Sequence, residues 1–528
     1  MPGQRTTHRR LLSSAAGFTV LTLLSRILGL VREQVRGYYL GTGTGSDAFG
    51  LAAMIPNLFR RLLAEGAMTA AFVPVFTGFI KGEDRGEMRR FLSAFVTLFA
   101  LFLAGFTAVM IFLSPWVIRT FFPGFGAVPG KLALTIVLTQ LMFPYLFLVS
   151  LAAVAQGVLN SFRIFAPSAA TPILLNLAII GATVALHDLF PDPSYALAMG
   201  FLLGGALQLV FQLPWIARLR MEVRPCFDWS HPGIKELLRV FAPGVFAAGI
   251  YQINVFVSQM IAAGLAEGTI ASLQYSTRLQ ELVLGIFVVS VTTVVLPTFA
   301  RQFADRSSRD VGDTLRFSLG LLALVALPAT AGLIVLREPI VRLLFQFGEF
   351  DAQSTRLTAF AILFHAPGIY FIASSRTLSQ VFYGAKDLRT PAWCALASML
   401  ANIGLCFTLA GPLGNGGIAL ANSLSAAVSA VLLAVFLGRT GVAPPLRSHG
   451  WTLLRVAVAA GIMAAALVGL AALLPWSQDL GRAALGLRLV LFVGVGVGVL
   501  LLAALLLVKK ELLELLQLVK RSNGTRTE

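Results

Sequence analysis

Long apolar stretches recur along almost the whole of this 528-residue chain, and they limit its fold more than any other feature. Each is about 20 residues or longer, enough to cross the roughly 30 Å hydrocarbon core of a bilayer as a helix. A backbone in hydrocarbon must satisfy its own hydrogen bonds, and a helix does so. The stretches predict about fourteen transmembrane helices, near residues 13–37, 47–79, 91–114, 132–157, 168–187, 195–217, 236–264, 270–300, 314–336, 355–383, 390–410, 415–437, 452–474 and 484–508.

The composition supports an all-α polytopic membrane protein. Hydrophobic residues make up 57% of the chain and charged residues 12%, and no polar stretch is long enough for a separate soluble domain. The net charge of +17 first suggests a nucleic-acid partner. In a polytopic protein, however, Lys and Arg accumulate in cytoplasmic loops, so we expect no nucleic-acid partner.

The basic residues alternate between the loops. One set of loops holds 26 of the 41 Lys and Arg residues, including the clusters at 81–90, 218–239 and 301–316, whereas the other set holds seven. The more basic set defines what we call the basic-loop side of the protein. Basic loops face the cytoplasm, so the pattern predicts that both termini are cytoplasmic.

An internal repeat relates two parts of the chain at a shift of 223 residues. The segment 71–76 matches 294–299, 117–122 matches 340–345, and 197–198 matches 420–421. The shift spans six apolar stretches, an even number, so both copies have the same orientation in the membrane. We therefore predict two parallel six-helix repeats plus two extra C-terminal helices. The expected domains are an N-lobe with a cytoplasmic linker at 1–225, a C-lobe at 226–440, and the last two helices with a cytoplasmic tail at 441–528.

Signatures of enzymes are absent from the sequence. It contains no G-x-x-x-x-G-K-[ST], H-E-x-x-H or G-x-S-x-G motif. The three cysteines and five histidines are dispersed and show no metal-ligand spacing. We therefore expect no catalytic residues and no metal site, and we predict that the chain moves a substrate rather than transforming it.

Five arginines lie in or beside the apolar stretches. A cation in hydrocarbon costs a few kcal/mol on insertion scales, so it persists by facing a wet cavity or a partner. Guanidinium is a planar group that stays charged and binds phosphate through two hydrogen bonds at once. The surplus of positive charge predicts a cavity for an anion such as pyrophosphate, with these candidates: Arg26, Arg32, Arg60, Arg61 and Arg278.

Three acidic residues accompany these arginines. Glu65 lies four residues after Arg61, and Glu281 lies three residues after Arg278, so each can pair along one helix face. Arg61 either serves the anion or simply neutralises Glu65, and both alternatives stay open. Asp47 follows Gly-Ser and is either a helix N-cap or part of a gate.

Two other features have alternative interpretations. Arg32, Glu33 and Arg36 either belong to the cavity or lie at a helix end with side chains reaching the interface. Pro56 removes a backbone donor and predicts a bend or break just before Arg60.

Short motifs carry a family signature. They are Ser-Arg-Ile-Leu-Gly at 25–29 with Arg32, Asp-Ala-Phe at 47–49, Pro-Asn-Leu at 56–58 and Arg-Arg-Leu-Leu-Ala-Glu-Gly-Ala at 60–67. Phe-Val-Pro at 72–74, and Tyr275 with Arg278 and Glu281, continue them. Together they resemble the MurJ (MviN) family of lipid II flippases over essentially the whole chain.

This resemblance implies a multi-pass protein of the bacterial inner membrane that acts in peptidoglycan biosynthesis. Its substrate would be lipid II, undecaprenyl-pyrophosphate carrying a disaccharide-pentapeptide, which would be flipped from the inner to the outer leaflet by alternating access. The resemblance assigns the pyrophosphate to Arg26, Arg32, Arg60 and Arg278, with Asp47 and Glu281 as acidic partners. It implies that the extra helices take the lipid tail, and we expect a monomer among membrane lipids.

The energy source and the exact substrate stay open. We expect no resident cofactor, and either a coupling ion or the membrane potential would drive transport. Some members of the resembled family bind Na⁺ through aspartates in the seventh and eleventh helices, where this chain has Gln252, Asn254 and Asn402. The alternatives are a flippase for another polyprenyl-pyrophosphate glycan and a drug/cation antiporter of the same fold, although the latter favours acidic cavity residues.

Overall fold

The structure is a computed structural model, which describes residues 2–64, 67–82, 84–305, 307–442, 446–477 and 480–508. The described residues form sixteen α-helices and no strand, as the apolar patterning predicts. They divide into two compact units, one comprising residues up to Ala271 with Phe347–Phe350 and the other Ser272–Gln346 with the residues from Asp351 onward.

The first unit contains eight helices and the start of a ninth. The long α4 packs on α5, and α8 packs on α2, α3 and α4. Stacked rings of α3 and α4, such as Phe72 and Phe76 at 5.1 Å, form much of its buried core. Its helices are α1 (Pro2–Leu40), α2 (Thr44–Leu63), α3 (Ala67–Lys81), α4 (Arg85–Phe121), α5 (Lys131–Ser161), α6 (Ala166–Leu186), α7 (Ser194–Arg218) and α8 (Pro232–Ala263).

The second unit contains the rest of α9 and seven further helices. Within it, α10 packs on α15 and α16, and α14 packs on α11, α12 and α13. Arg342 of α10 donates to the carbonyl of Ser477 at 2.7 Å, which fixes the loop between the last two helices. The helices are α9 (Thr269–Ala304), α10 (Ser308–Phe345), α11 (Ala352–His365), α12 (Gly368–Gly384), α13 (Arg389–Leu413), α14 (Asn415–Phe436), α15 (Leu446–Leu473) and α16 (Arg482–Leu507).

The helices confirm a polytopic membrane fold. Among the described residues, nine helices are long and apolar enough to cross a bilayer, and α11 with α12, bent by 45°, would make a tenth. Each of the fourteen apolar stretches falls on one helix or on two consecutive helices. The number fourteen itself stays a prediction.

The helix bounds reproduce the internal repeat. The start of α4 at Arg85 precedes the start of α10 at Ser308 by 223 residues, and the start of α6 at Ala166 precedes that of α13 at Arg389 by the same number. The ends of α5 and α12 keep this shift as well. The sequence repeat is therefore a repeat of helix boundaries, with α15 and α16 following it.

Close packing of α13 on α14 depends on one glycine. A Cβ at Gly417 would lie 2.0 Å from the carbonyl oxygen of Leu409, whereas a Cβ at Gly404 of α13 would meet nothing within 4 Å. We expect Gly417→Ala to destabilise the protein by about 1–3 kcal/mol through overpacking. Gly404→Ala should be neutral or slightly stabilising, because alanine favours a helix interior. Thermal unfolding of both purified variants in one detergent checks this, and equal midpoints would contradict it.

Candidate functional site

Arginines follow one another along the C-terminal half of α1 and differ in their burial and their partners. Arg26 and Arg32 are half-buried. The Arg32 guanidinium donates to Oδ1 of Asn176 at 3.1 Å and to Oε1 of Glu33 at 2.6 Å. Arg26 makes no hydrogen bond or ion pair with any residue that the structure describes. Arg26 is therefore a half-buried cation with capacity to bind an anion, whereas Arg32 is already held in position.

Arg36 lies deeper in protein than its place near a helix end suggests. It is 5% exposed, and its guanidinium donates to Oγ of Ser46 at 3.2 Å and to the Ser46 carbonyl at 2.8 Å. It also approaches Glu33 at 3.6 Å and covers the ring of Phe49. Arg36 and Glu33 are thus buried, and the interfacial alternative for these two residues is wrong. Polar partners on α2 supply the hydrogen bonds that water would otherwise give.

Asp47 is a buried charge whose two carboxylate oxygens both accept hydrogen bonds. It is 1% exposed, and its Oδ2 accepts from Nζ of Lys131 at 2.7 Å and from the Gly268 amide at 2.8 Å. Its Oδ1 accepts from the Ala271 amide at 2.8 Å. The amides of Gly268 and Ala271 lie at the start of α9, so Asp47 supplies an N-cap to a helix other than its own.

Asp47 is therefore not the N-cap of α2. That position belongs to Gly43, and Asp47 lies in the first turn of the helix. Lys131, 3% exposed, also lies over the ring of Phe125 at 4.4 Å. The ion pair is thus surrounded by protein on the lysine side.

Arg60 is positioned by the turn before it. Its Nε donates to Oδ1 of Asn57 at 3.0 Å, and Nδ2 of Asn57 donates to the Ala53 carbonyl at 2.9 Å. The helix continues through Pro56 to Leu63, so of the two alternatives the break is wrong, and the bend stays a prediction. The half-buried Arg60 is thereby aligned along α2.

Arg61 is exposed, in contrast to its neighbour. Glu65, its expected partner, lies outside the described residues, so the choice between anion binding and neutralisation by Glu65 stays a prediction.

In the second unit, Arg278 and Glu281 form the ion pair that their spacing predicts. Nη1 of Arg278 lies 3.3 Å from Oε2 of Glu281, with side-chain exposures of 28% and 54%. Nε of Arg278 is buried and has no hydrogen-bond partner among the described residues. One face of this guanidinium is therefore paired, and the other has an unused donor.

The buried His365 has a structural environment. Its Nδ1 lies 2.8 Å from Oγ of Ser276, and its carbonyl accepts from Nε2 of Gln280 at 2.6 Å. These contacts join α9 to α11 within the second unit. They support a hydrogen-bonding role, as expected for a lone histidine in an apolar stretch.

Sequence reasoning missed three polar residues that position the candidate site: Lys131, Asn57 and Asn176. The sequence could have indicated a special role for Lys131, because it is one of only seven basic residues in the less basic set of loops. A cation on that side needs a reason, and here the reason is Asp47. The two asparagines gave no signal of this role, because the partner of a side-chain amide depends on what the fold brings beside it.

The arrangement suits an anion better than a cation or a metal. Among the described residues, Glu33 pairs with Arg32 and Arg36, and Asp47 pairs with Lys131. No group of three or more His, Cys, Asp or Glu residues that could hold a metal occurs in the part of the chain that the structure describes. Half-buried guanidinium groups with spare donors can bind phosphate oxygens bidentately.

Comparisons with known proteins agree on one family. A sequence model described as "Lipid II flippase MurJ" matches residues 37–481. The "Probable lipid II flippase MurJ" of Vibrio cholerae is 32% identical over 470 residues, which covers 88% of this chain and 90% of that protein. A solved "Lipid II flippase MurJ, inward closed conformation" superposes with a TM-score of 0.77 at 26% identity, covering 93% of this chain and 98% of that one. An inward-facing multidrug resistance MATE family transporter gives a TM-score of 0.65 at 16% identity, covering 81% and 98%, and shows the fold alone.

Proposed function

The chain belongs to the MurJ family of lipid II flippases, and we propose that it moves lipid II from the inner to the outer leaflet of the bacterial inner membrane. Such a protein is a membrane transporter and not an enzyme. Its multi-pass helical fold and its likeness to a solved MurJ structure along nearly its whole length support this function.

One observation supports the substrate chemistry most directly: among the described residues of the first unit, half-buried arginines exceed their acidic partners. We propose that Arg26, Arg32 and Arg60 bind the pyrophosphate, with Arg278 and its unused Nε donor contributing. Asn176 and Asn57 hold Arg32 and Arg60 in place, so these two guanidinium groups lose little conformational freedom on binding.

Asp47 supports a gating role within the same proposal. Its carboxylate joins α2 to Lys131 of α5 and to the start of α9, at the end of the first unit opposite the basic loops. Alternating access requires such contacts to break and reform at each cycle. Glu281, through its pair with Arg278, would release that guanidinium when a phosphate competes for it.

The orientation and assembly are also part of the proposal. Both termini and the basic loops face the cytoplasm, residues 1–225 and 226–440 are the two moving lobes, and 441–528 carries the two added helices. We expect the protein to work as a monomer, with lipid II and membrane lipids rather than nucleic acid as its partners.

The orientation predicts a labelling pattern. Cys226 is half-buried in the loop between α7 and α8 on the basic-loop side, whereas Cys394 and Cys406 are buried. A membrane-impermeant maleimide should therefore not label Cys226 in intact spheroplasts and should label it after permeabilisation. A Ser477→Cys variant with Cys226→Ser, which places the thiol in the exposed α15–α16 loop, should show labelling before permeabilisation. The reverse pattern would overturn the orientation.

Depletion in the host tests the substrate. Lipid II should accumulate on the inner leaflet when the protein is removed. Accumulation of a different polyprenyl-pyrophosphate glycan instead, with lipid II unchanged, would identify the alternative flippase. If neither lipid accumulates and the protein instead exports drugs in exchange for a cation, it is the drug/cation antiporter.

A further inference from the structure

A cavity separate from the candidate transport residues opens on the basic-loop side of the first unit. It has a volume of about 600 Å³ and lies among the end of α3, the start of α4 and the ends of α5 and α7. Its charged lining consists of Asp84, Arg85, Arg89, Arg218 and Arg220. Its apolar lining includes Phe79, Ile80, Met88, Phe162, Leu219 and Met221. One part of the cavity lining is thus basic and another part is apolar.

The positive charge of this cavity is not neutralised by its one carboxylate. Oδ1 of Asp84 accepts from the amides of Gly86 and Glu87, at 2.8 and 3.1 Å, and so caps α4. Arg89 donates to the carbonyl of Arg220 at 3.0 Å, which ties the end of α7 to α4 without neutralising a charge. Among the described lining residues, four guanidinium groups against one carboxylate leave a net positive charge.

Backbone strain marks one of these arginines. Arg220 has φ of 53°, in the left-handed region that usually selects glycine at the end of a helix. Its amide donates to the Ala217 carbonyl at 2.9 Å, as expected of the residue that follows the C-cap of α7, Leu219. Two other non-glycine residues among those described share this conformation, Arg163 and Lys386, and both are also basic. A basic side chain is thus present where glycine would be less strained.

The linker after α7 indicates the depth of the cavity. The amides of Arg224 and Cys226 donate to the hydroxyls of Ser93 and Thr97, at 3.2 and 3.1 Å, so the linker follows α4 by one turn towards its apolar middle. Further along this linker, the side chains of Phe227 and Trp229 are 65% and 68% exposed. Exposed aromatic rings beside arginines are typical of the membrane interface. We therefore expect the cavity to lie where lipid headgroups meet acyl chains.

We propose that this cavity binds an anionic phospholipid, with its phosphate at Arg85, Arg89, Arg218 and Arg220 and part of an acyl chain against the apolar lining. The site is distinct from the transported substrate, and it would hold the first unit to the anionic leaflet on the basic-loop side. A guanidinium cluster provides the bidentate contacts that phosphate favours. The apolar lining beside the guanidinium cluster favours a phosphate that carries an acyl chain over free inorganic phosphate.

Two substitutions test this site without endangering the fold. Arg220→Gly removes a guanidinium and relieves the left-handed strain. Arg85→Gln removes a cation from the N-terminus of α4, where a positive charge is unfavourable. Lys386→Gly is the matched control, because it also removes one basic residue and relieves a φ of 62°, but it lies in the second unit.

The measurement is binding of fluorescently labelled phosphatidylglycerol to the purified full chain in neutral detergent. We expect Arg220→Gly and Arg85→Gln each to weaken binding about tenfold, the loss of one charge-assisted hydrogen bond, and Lys386→Gly to leave it unchanged. Unlabelled phosphatidylglycerol should displace the probe far better than phosphatidylcholine of the same chain length or inorganic phosphate.

Several results would overturn the proposal. Equal weakening by Lys386→Gly would mean that only the overall charge matters. Displacement by inorganic phosphate as effective as by phosphatidylglycerol would indicate a free-anion site. Stronger displacement by a prenyl-pyrophosphate lipid would assign the cavity to the transport route instead. Any of these results would leave the proposed flippase activity standing, because that activity is measured separately by lipid II exposure.

Discussion

Replacement of Arg26, Arg60 or Arg278 by alanine is expected to abolish lipid II translocation while leaving membrane insertion intact. Each of these guanidinium groups is half-buried, and Arg26 has no ion-pair partner among the described residues. Loss of one charge-assisted hydrogen bond to pyrophosphate costs about 1.5–3 kcal/mol, a factor of roughly 10 to 150 in binding. The measurement is the exposure of labelled lipid II on the outer leaflet of cells that depend on the variant.

Two comparisons make this result specific. Arg60→Lys keeps the charge but loses the planar fork, so it should recover only part of the activity. Arg376→Ala removes an arginine that is exposed on α12, and it should transport as the wild type does. Full activity of all three alanine variants would contradict the pyrophosphate site, even if the protein proves to be a flippase.

Asp47→Ala is expected to be the most destabilising single substitution proposed for this protein. It would leave the buried ammonium of Lys131 and the amides of Gly268 and Ala271 without their acceptor. Removing one partner of a buried ion pair costs about 3–5 kcal/mol, because the remaining charge stays out of water. The apparent unfolding temperature of the purified protein in one detergent should therefore fall clearly below that of the wild type.

A second substitution separates the effect of the unpaired Lys131 ammonium from the loss of the cap at the start of α9. Lys131→Met in the Asp47→Ala background removes the unpaired ammonium, so it should restore part of the lost stability. Asp47→Asn keeps one carbonyl acceptor for the start of α9, and it should fall between the wild type and Asp47→Ala. An unfolding temperature of Asp47→Ala equal to that of the wild type would refute the buried-pair account.

Asp47→Asn also distinguishes a structural role of Asp47 from a role in the gate. If Asp47 acts in the gate, Asp47→Asn should reduce lipid II exposure more than its modest loss of stability explains. Transport in proportion to the amount of folded protein would instead assign Asp47 a structural role.

Local features of the sequence were enough to predict the architecture. Apolar length identifies membrane helices because hydrocarbon tolerates no unpaired backbone, and the 223-residue shift reappeared in the helix bounds. The spacing of Arg278 and Glu281 predicted their ion pair, because residues three apart share a helix face. These predictions depend on neighbours in the chain, which a sequence displays directly.

Contacts between distant residues could not be predicted in this way. Lys131 and the start of α9 are 84 and 221 or more residues from Asp47, and no periodicity links them. The same limit explains why the sequence left two alternatives open for Arg36, which pairs with Ser46 of another helix.

The sequence by itself therefore determined a multi-pass helical protein, its repeat, its family and a surplus of arginines in apolar surroundings. Only the tertiary structure decided which of those charges are already held by partners, as Arg36 and Asp47 are, and which, like Arg26, have no hydrogen-bond or ion-pair partner among the described residues. The reason is physical: burial and hydrogen bonding of a charge depend on what the fold brings beside it, whereas its presence in an apolar stretch depends on the chain alone.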